Sequence, residues 1–235
     1  MCFTPTISLT VAITEFILAT ILLLAFPKTT LRNFSAVLIY ILGFYQFTEF
    51  MLCTSGSPFF WARLGFMTYT LLPAVGLNIA LKFTNRKPNY LHYFLIYIIP
   101  AIFWILALSF RMITSASCQT FFVEVQSLFN QAGAIPNNLL FMIYTLYYLS
   151  FIVVSCLLFY LHFRKEKNKI KKQIDLAYIF GVFLMTVPTM VFLVIFPFLN
   201  TRFPSVLCGF AIFVAITSFI AVYLESKLNK KTKKR

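Results

Sequence analysis

Three ionisable side chains, Glu15, Glu49 and Arg63, sit inside long apolar runs of this 235-residue chain. A charge at the centre of a bilayer costs at least ~2.5 kcal/mol, so each needs a partner, a proton or a route to water. Glu15 lies about 12 Å into the first run at 1.5 Å per residue, too deep for its side chain to snorkel out cheaply. It is expected to face the bundle interior, protonated or hydrogen-bonded to Gln46, Thr48, Tyr69, Tyr144 or Tyr147. Such a carboxyl is a candidate ligand contact or proton site, and the plainer reading is a neutral packing residue. Glu49 and Arg63 fall about 6 Å and about 4.5 Å from the facing ends of two successive runs. The short connection Thr54 to Phe59 makes those runs neighbours, so an ion pair is geometrically easy. Separate snorkelling of the two side chains is the alternative.

Other chemistry is missing from the sequence. There is no HExxH, no GxSxG, no phosphate loop and no recognisable pairing of His with Asp, so an enzyme is not expected. No two of the five cysteines lie within four residues of each other and neither His92 nor His162 is near one, so no metal or cofactor is expected. The last apolar run has no lysine to carry a retinal Schiff base. Cys53, Cys118 and Cys208 all fall on or near one face of the expected bundle, where a disulfide can form in an oxidising compartment. Buried free cysteines acting as small apolar residues are the other reading.

The elements that must position these residues are seven apolar stretches, each near the roughly 20 residues needed to cross a 30 Å hydrocarbon core. They run Ile7 to Phe26, Phe34 to Cys53, Phe60 to Phe83, Leu91 to Phe110, Asn138 to Phe163, Asp175 to Leu199 and Ser205 to Leu224. With 60% hydrophobic residues and a mean hydropathy of +0.87, the expected fold is an all-α seven-transmembrane-helix bundle. It occupies residues 1–226 as one membrane domain, followed by a basic tail at 227–235. Seventeen Lys and Arg residues fall on one side of this arrangement, against Arg63, Arg111 and Arg202 on the other. The positive-inside rule then puts the N-terminus outside and the tail in the cytoplasm. The first ten residues contain no Lys or Arg, so the first span does not look like a cleavable signal peptide. A net charge of +14 is spent beside membrane exits, where topology and anionic lipid account for it without nucleic acid.

Most connections are short, which favours antiparallel neighbours. The long one, Arg111 to Pro136, contains an apolar stretch from Phe121 to Phe129 that is expected to lie over the bundle mouth as a lid. The charged loop Arg164 to Ile174 is expected to extend the fifth helix before the chain turns back. Pro73, Pro100 and Pro188 fall inside the third, fourth and sixth runs and should kink them, with Thr186 and Thr189 placed to repair the gap at Pro188. No GxxxG pair occurs, and 30 Phe with 12 Tyr suggest a bundle packed by interleaved rings.

The stretch FYQFTEFMLCTSGSPFFWARLGFMTYTLLPAVGLNIALKFTNRK, Phe44 to Lys87, resembles the seven-transmembrane sensor region at the N-terminus of a class of membrane histidine kinases. An acidic residue closing the second helix, Trp-x-Arg opening the third and a mid-helix proline correspond to Glu49, Trp61 with Arg63, and Pro73. The likeness continues through KKQIDLAYIFGVFLMTVPTM and FPSVLCGFAIFVAITSFIAVYLESKL, covering most of the chain. Residues 1–235 contain no phosphoacceptor histidine and no ATP-binding motif, so the resemblance implies a sensor module without its own output.

The expected function is a multi-pass receptor-like protein of the plasma membrane. It would detect an unidentified small molecule or lipid from the outer side and signal through a separate cytoplasmic protein. Glu15, Gln46, Glu49, Arg63, Tyr69, Tyr144 and Tyr147 are the candidate ligand contacts. Arg164, Lys165, Lys167, Lys169, Lys171, Lys172, Lys227, Lys230 and Lys231 are the candidate contacts to the partner or to bilayer lipid. A small proton-coupled carrier using Glu15 is the runner-up, although no inverted repeat or broken helix is evident. A scaffold without ligand is the third reading.

Overall fold

A computed structural model describes residues 4–84, 86, 89–109, 113–118, 123–127, 139–198 and 207–233. Among these are seven helices: α1 Thr4–Ala25, α2 Thr30–Thr54, α3 Pro58–Phe83, α4 Tyr90–Ser109, α5 Leu139–Lys165, α6 Lys169–Phe198 and α7 Leu207–Lys233. Six of them, all but α6, are long and apolar enough over their described residues to cross a membrane. Three of the turns have a local cause. Pro27 follows α1, and Thr29 caps α2 by accepting from the Arg32 backbone N–H at 3.1 Å. Pro58 opens α3 at its first turn, where a missing N–H costs nothing. Asn168 caps α6 through Oδ1, which accepts from the Ile170 and Lys171 N–H groups.

The helices close into a ring in which α2 and α3 are central. Helix α2 packs on α1, α3 and α7, while α3 packs on α4 and α5, and α6 joins α5 to α7. Helix α4 rides outside on α3, consistent with the long connection that separates it from α5. The main core gathers Leu22, Ile39, Leu42, Ile79, Ile174 and Val222 from α1, α2, α3, α6 and α7. Rings interleave between helices, as in the stacked Phe159 and Tyr178 pair, and single glycines stand at close crossings. Gly43 lies against Phe16 and the Glu15 Cβ, Gly65 against Thr48, and Gly181 so close to Thr217 that an added Cβ would overlap its hydroxyl. Isolated glycines at helix crossings do here what a GxxxG pair does elsewhere.

Between α4 and α5 the structure departs from an all-α bundle. Strands β1 Ile113–Cys118 and β2 Val123–Ser127 form an antiparallel hairpin, where an apolar lid over Phe121 to Phe129 was expected. The alternation Val123-Glu124-Val125-Gln126 is the period-2 signal of a half-buried strand. Ile113 and Val125 pack on Leu52, Ala62 and Trp61, so the hairpin rests on the α2–α3 turn. Residues 121–122 and 128–129 of the expected lid lie outside the described residues. A disulfide joins Cys53, at the end of α2, to Cys118 on β1. The side chain of Cys208 lies outside those described.

The loop after α5 also differs. Helix α5 ends at Lys165 and α6 begins at Lys169, six residues before the apolar run, so Lys169, Lys171 and Lys172 are helical. Glu166 causes the tight turn: its Oε1 accepts from the N–H groups of Lys167 and Asn168, both at 2.9 Å. Helix α7 continues past Ser226 to Lys233, so most of the basic tail prolongs the last helix.

Candidate functional site

The two ends of the bundle differ in chemistry. One carries the hairpin and the disulfide. At the other, a cleft of about 260 Å³ opens between the start of α2, the end of α3, the start of α6 and α7. Thr30, Leu31, Phe34, Lys82, Phe83, Lys171 and Glu225 line it, and this is the end where most Lys and Arg residues gather.

A polar frame holds this basic end together. Thr29 donates its hydroxyl to Glu225 Oε2 at 2.6 Å, tying the α2 N-terminus to α7. A carboxylate there also suits the positive end of the α2 dipole. Arg32, 6% exposed, turns back to donate Nη1 to the carbonyls of Leu23 and Phe26, satisfying groups that the end of α1 leaves unpaired. It also donates twice to Asn33 Oδ1.

Beside this frame the structure supplies what the sequence reading missed, a His and Asp pair. Asp175, completely buried, lies 2.8 Å through Oδ2 and 3.1 Å through Oδ1 from His162 Nδ1. The other ring nitrogen of His162 lies 3.6 Å from Glu166 Oε2, and Lys171 Nζ lies 3.4 Å from the same oxygen. His162 of α5 is thus hydrogen-bonded through Nδ1 to Asp175 of α6, while its other ring nitrogen only faces Glu166 of the turn, which makes the ring a clamp between the two helices. Backbone N–H donation from Asn168 foremost, helped by the nearby Lys171 ammonium, holds the Glu166 carboxyl below its ordinary value of 4.5. The Phe83 ring stands edge-on to His162 at 5.4 Å, so the clamp abuts the wall of the cleft. The signal available in the sequence was Glu166-x-Asn168, a turn-forming pair short enough to bring His162 and Asp175 opposite each other.

The candidate ligand contacts divide into separate places. Tyr69, Tyr144 and Tyr147 come together in an aromatic cluster with Phe66 and Phe103, Tyr144 being 6.3 Å from Tyr69 and 6.2 Å from Tyr147 by ring centroids. Tyr147 donates its hydroxyl to the Thr70 carbonyl at 2.7 Å, and Tyr144 and Thr70 share a bond of 3.2 Å between hydroxyls. Trp104 of α4 donates to the Met67 carbonyl at 2.8 Å. The α3 carbonyls just before Pro73 therefore receive donors from two neighbouring helices, close to where proline removes a backbone N–H. At Pro188, Thr186 instead bonds the Val182 carbonyl of its own helix, and the Thr189 side chain lies outside those described.

Glu15 is completely buried on the α1 face that meets Gly43, and neither of its carboxyl oxygens has a hydrogen-bond partner among the described residues. It does not join the tyrosine cluster. Thr48 bonds the Tyr45 carbonyl, and Gln46 is buried on α2 at 2% exposure. Glu49, 5% exposed, and the half-buried Arg63 form no ion pair with each other among the described residues.

The basic candidates frame the cleft unevenly. Lys171 enters its wall, Lys172 lies over the Phe163 ring at 5.2 Å and Lys227 over the Tyr223 ring at 4.5 Å. Arg164, Lys165, Lys167, Lys169 and Lys230 are exposed, and the side chain of Lys231 lies outside those described. No group of His, Cys, Asp and Glu suited to a metal ion occurs among the described residues. No protein-family model matches the chain, and no curated protein and no solved structure matches it.

Proposed function

We propose that this chain is a seven-span, receptor-like membrane protein with its hairpin end outside and its basic end in the cytoplasm, and that it signals through a separate protein docked at the basic end. The observation that carries the reading is the cleft of about 260 Å³ to which four helices contribute. A change in packing among those helices alters the shape of one surface, which is what a partner can read. The exposed Lys and Arg residues at this end, with Lys82 and Lys171 in the cleft wall, suit an acidic partner surface beside anionic lipid. The resemblance to histidine-kinase sensor regions points the same way, since there the membrane module hands its signal to a cytoplasmic domain.

The test is chemical cross-linking and capture from native membranes, with the full chain and with a variant truncated after Ser226. Expected is a partner recovered with the full chain and lost on truncation, while membrane insertion is unchanged. Equal recovery from both removes the α7 extension from the docking face. Absence of any partner with the full chain overturns the reading. Topology is tested in sealed right-side-out vesicles, where a tag before Met1 should be digested by protease and a tag after Arg235 protected. Both tags on one side would refute seven crossings.

A carrier is the second reading, favoured by the two oxygens of Glu15 that have no hydrogen-bond partner among the described residues. Glu15 does not line the basic-end cleft. Proton-coupled uptake into proteoliposomes, abolished by Glu15→Gln, would establish the carrier in place of the receptor.

A further inference from the structure

A second cavity, about 70 Å³, lies inside the bundle where α3 and α6 are held apart. Both pack on α5 and hardly on each other. Leu72, Pro73 and Gly76 form its α3 wall, with Val182 and Met185 facing them from α6. The opening has a cause in the sequence. Proline at 73 withdraws a backbone bond from α3, and glycine at 76 offers no side chain, so that a Cβ built there meets no atom within 4 Å. Toward the basic end, the stacked rings of Phe159 and Tyr178, 4.8 Å apart, close the space.

The lining decides what can enter. A cavity of this size has room for water, but a buried water needs about 2–4 polar partners. The Ser155 hydroxyl is already given to the Phe151 carbonyl at 2.6 Å, and the Tyr178 hydroxyl is joined to Ser35 at 2.6 Å. The remaining wall is almost wholly apolar. Apolar cavities of this kind stay dry and take up small apolar guests such as xenon or benzene. Drug-sized ligands need about 300 Å³ or more, so they are excluded. No charged side chain lines it, and although Tyr148, Ser155 and Tyr178 contribute to the wall the surface presented is almost wholly apolar. Little would therefore select a polar solute from water, whereas the hydrocarbon around the helices concentrates apolar ones.

We infer that the gap between α3 and α6 is a binding site for one small neutral apolar molecule, gas-sized or a short hydrocarbon, that arrives through the membrane. The inference rests on the receptor reading for what the guest does, and not for whether it binds. A guest here wedges the helix that carries Pro73 away from α6. Both helices also line the basic-end cleft, through Lys82 and Phe83 of α3 and Lys171 of α6.

Xenon is the probe. The purified full chain in phosphatidylcholine nanodiscs is examined by xenon NMR over a range of xenon pressures. Expected is a saturable bound signal distinct from lipid-dissolved xenon. It should be lost in Gly76→Leu and in Val182→Phe, which fill the space from opposite walls, and retained in the outward-facing Ile105→Leu. If one filled variant does not fold, the other decides. No saturable signal in the unaltered chain, whether because the gap is closed or a lipid tail already fills it, overturns the inference. So does a bound signal that survives in a folded filled variant. Xenon binding without partner capture would sink the receptor reading and leave the site. Partner capture without xenon binding would do the reverse.

Discussion

Reducing the Cys53–Cys118 disulfide should release the hairpin and leave the helices folded. The hairpin has little to hold it otherwise. A two-stranded hairpin is marginal in water, and this one rests on Ile113 and Val125 packed on the α2–α3 turn. Full burial of one Ile is worth about 1.5–3 kcal/mol, against about 1–2 kcal/mol for each residue whose backbone is fixed. The cross-link closes a separation of 65 residues, which as free chain would be worth about 4 kcal/mol. That figure is an upper bound, because α3 and α4 stay helical in the bilayer whether or not the bond is made. What reduction sets free is the segment from the end of α4 at Ser109 to Cys118, for which the same relation gives about 2.5 kcal/mol. At about 1.4 kcal/mol per decade, amide protection in the hairpin should fall between roughly sixty-fold and a thousandfold. The assay is hydrogen exchange with mass spectrometry in nanodiscs, with and without reductant, and with Cys118→Ser. Peptides covering Ile113–Ser127 should lose protection while those of α2 and α3 keep it. Unchanged hairpin exchange would mean that packing alone docks the hairpin. Simultaneous loss across α2 and α3 would mean that the bond staples the whole bundle. Either result refutes the reasoning.

Four further outcomes follow from the packing and the charges. Gly181→Ala forces a methyl into the Thr217 hydroxyl and should cost about 1–3 kcal/mol in thermal unfolding of the purified protein, whereas Gly76→Ala should not destabilise it. Asp175→Ala leaves His162 facing an empty, buried position and should cost about 3 kcal/mol, with His162→Ala adding little on top; additive losses would deny the coupling. Because folding lowers the Glu166 pKa, its contribution is complete above the ordinary value of 4.5 and fades as pH falls through the lower folded value; Glu166→Gln should flatten the acid limb of the stability profile, and an unchanged limb would count against it. Glu15→Leu removes a buried carboxyl that has no partner among the described residues and should hold or raise the unfolding temperature, while a clear loss would reveal a partner that Glu15 needs.

Helix positions were legible because length and hydropathy are local properties. The observed ends lie within a few residues of the apolar runs except where polar helix extends beyond them, at Lys169–Gln173 and Glu225–Lys233. Depth along a helix was legible for the same reason, and it put Glu49 and Arg63 in one layer. Which neighbour each side chain takes was not, and they form no ion pair with each other among the described residues. Glu15 illustrates the same limit: its depth foretold burial, but not that its face would meet Gly43, away from the tyrosines. The His162 and Asp175 contact depends on a three-residue turn, and a reading that carried α5 through the charged loop could not bring them together. The hairpin was hidden by its neighbours, since Phe121, Phe122, Leu128 and Phe129 make the short Val-Glu-Val-Gln alternation look like part of one apolar stretch.

Helix α3 explains why the two ends of the molecule need not move alike. Its first half is fastened at every side. The α2–α3 turn carries the hairpin and lies beside the disulfide, Gly65 lets Thr48 close in, and Trp104 and Tyr147 hold the carbonyls of Met67 and Thr70. Its second half is packed in the core through Ala74, Val75, Ile79 and Ala80 but has fewer polar ties to its neighbours. Asn78 donates to Tyr97 at 2.9 Å with no partner at Oδ1 among the described residues, and the helix ends at Lys82, over the Tyr93 ring, and Phe83 in the cleft wall. Between the halves stand Pro73, where a backbone bond is missing, and Gly76, where a cavity takes the place of a side chain. A helix bends at the point where its own hydrogen bonding is interrupted and its neighbour gives it room. Both conditions meet at one level of α3 and at none of the other described contacts of that helix. Any displacement of α3 is therefore expected to leave Pro58–Leu72 in place and to swing Ala74–Phe83, which changes the cleft without disturbing the hairpin. Spin labels at exposed positions make this measurable, with Phe60 paired to Leu24 and Lys82 paired to Lys165. Distances from Lys82 should broaden or shift when xenon is added, while those from Phe60 hold still. Equal changes at both would show α3 moving as a rigid rod and would remove Pro73 from the argument.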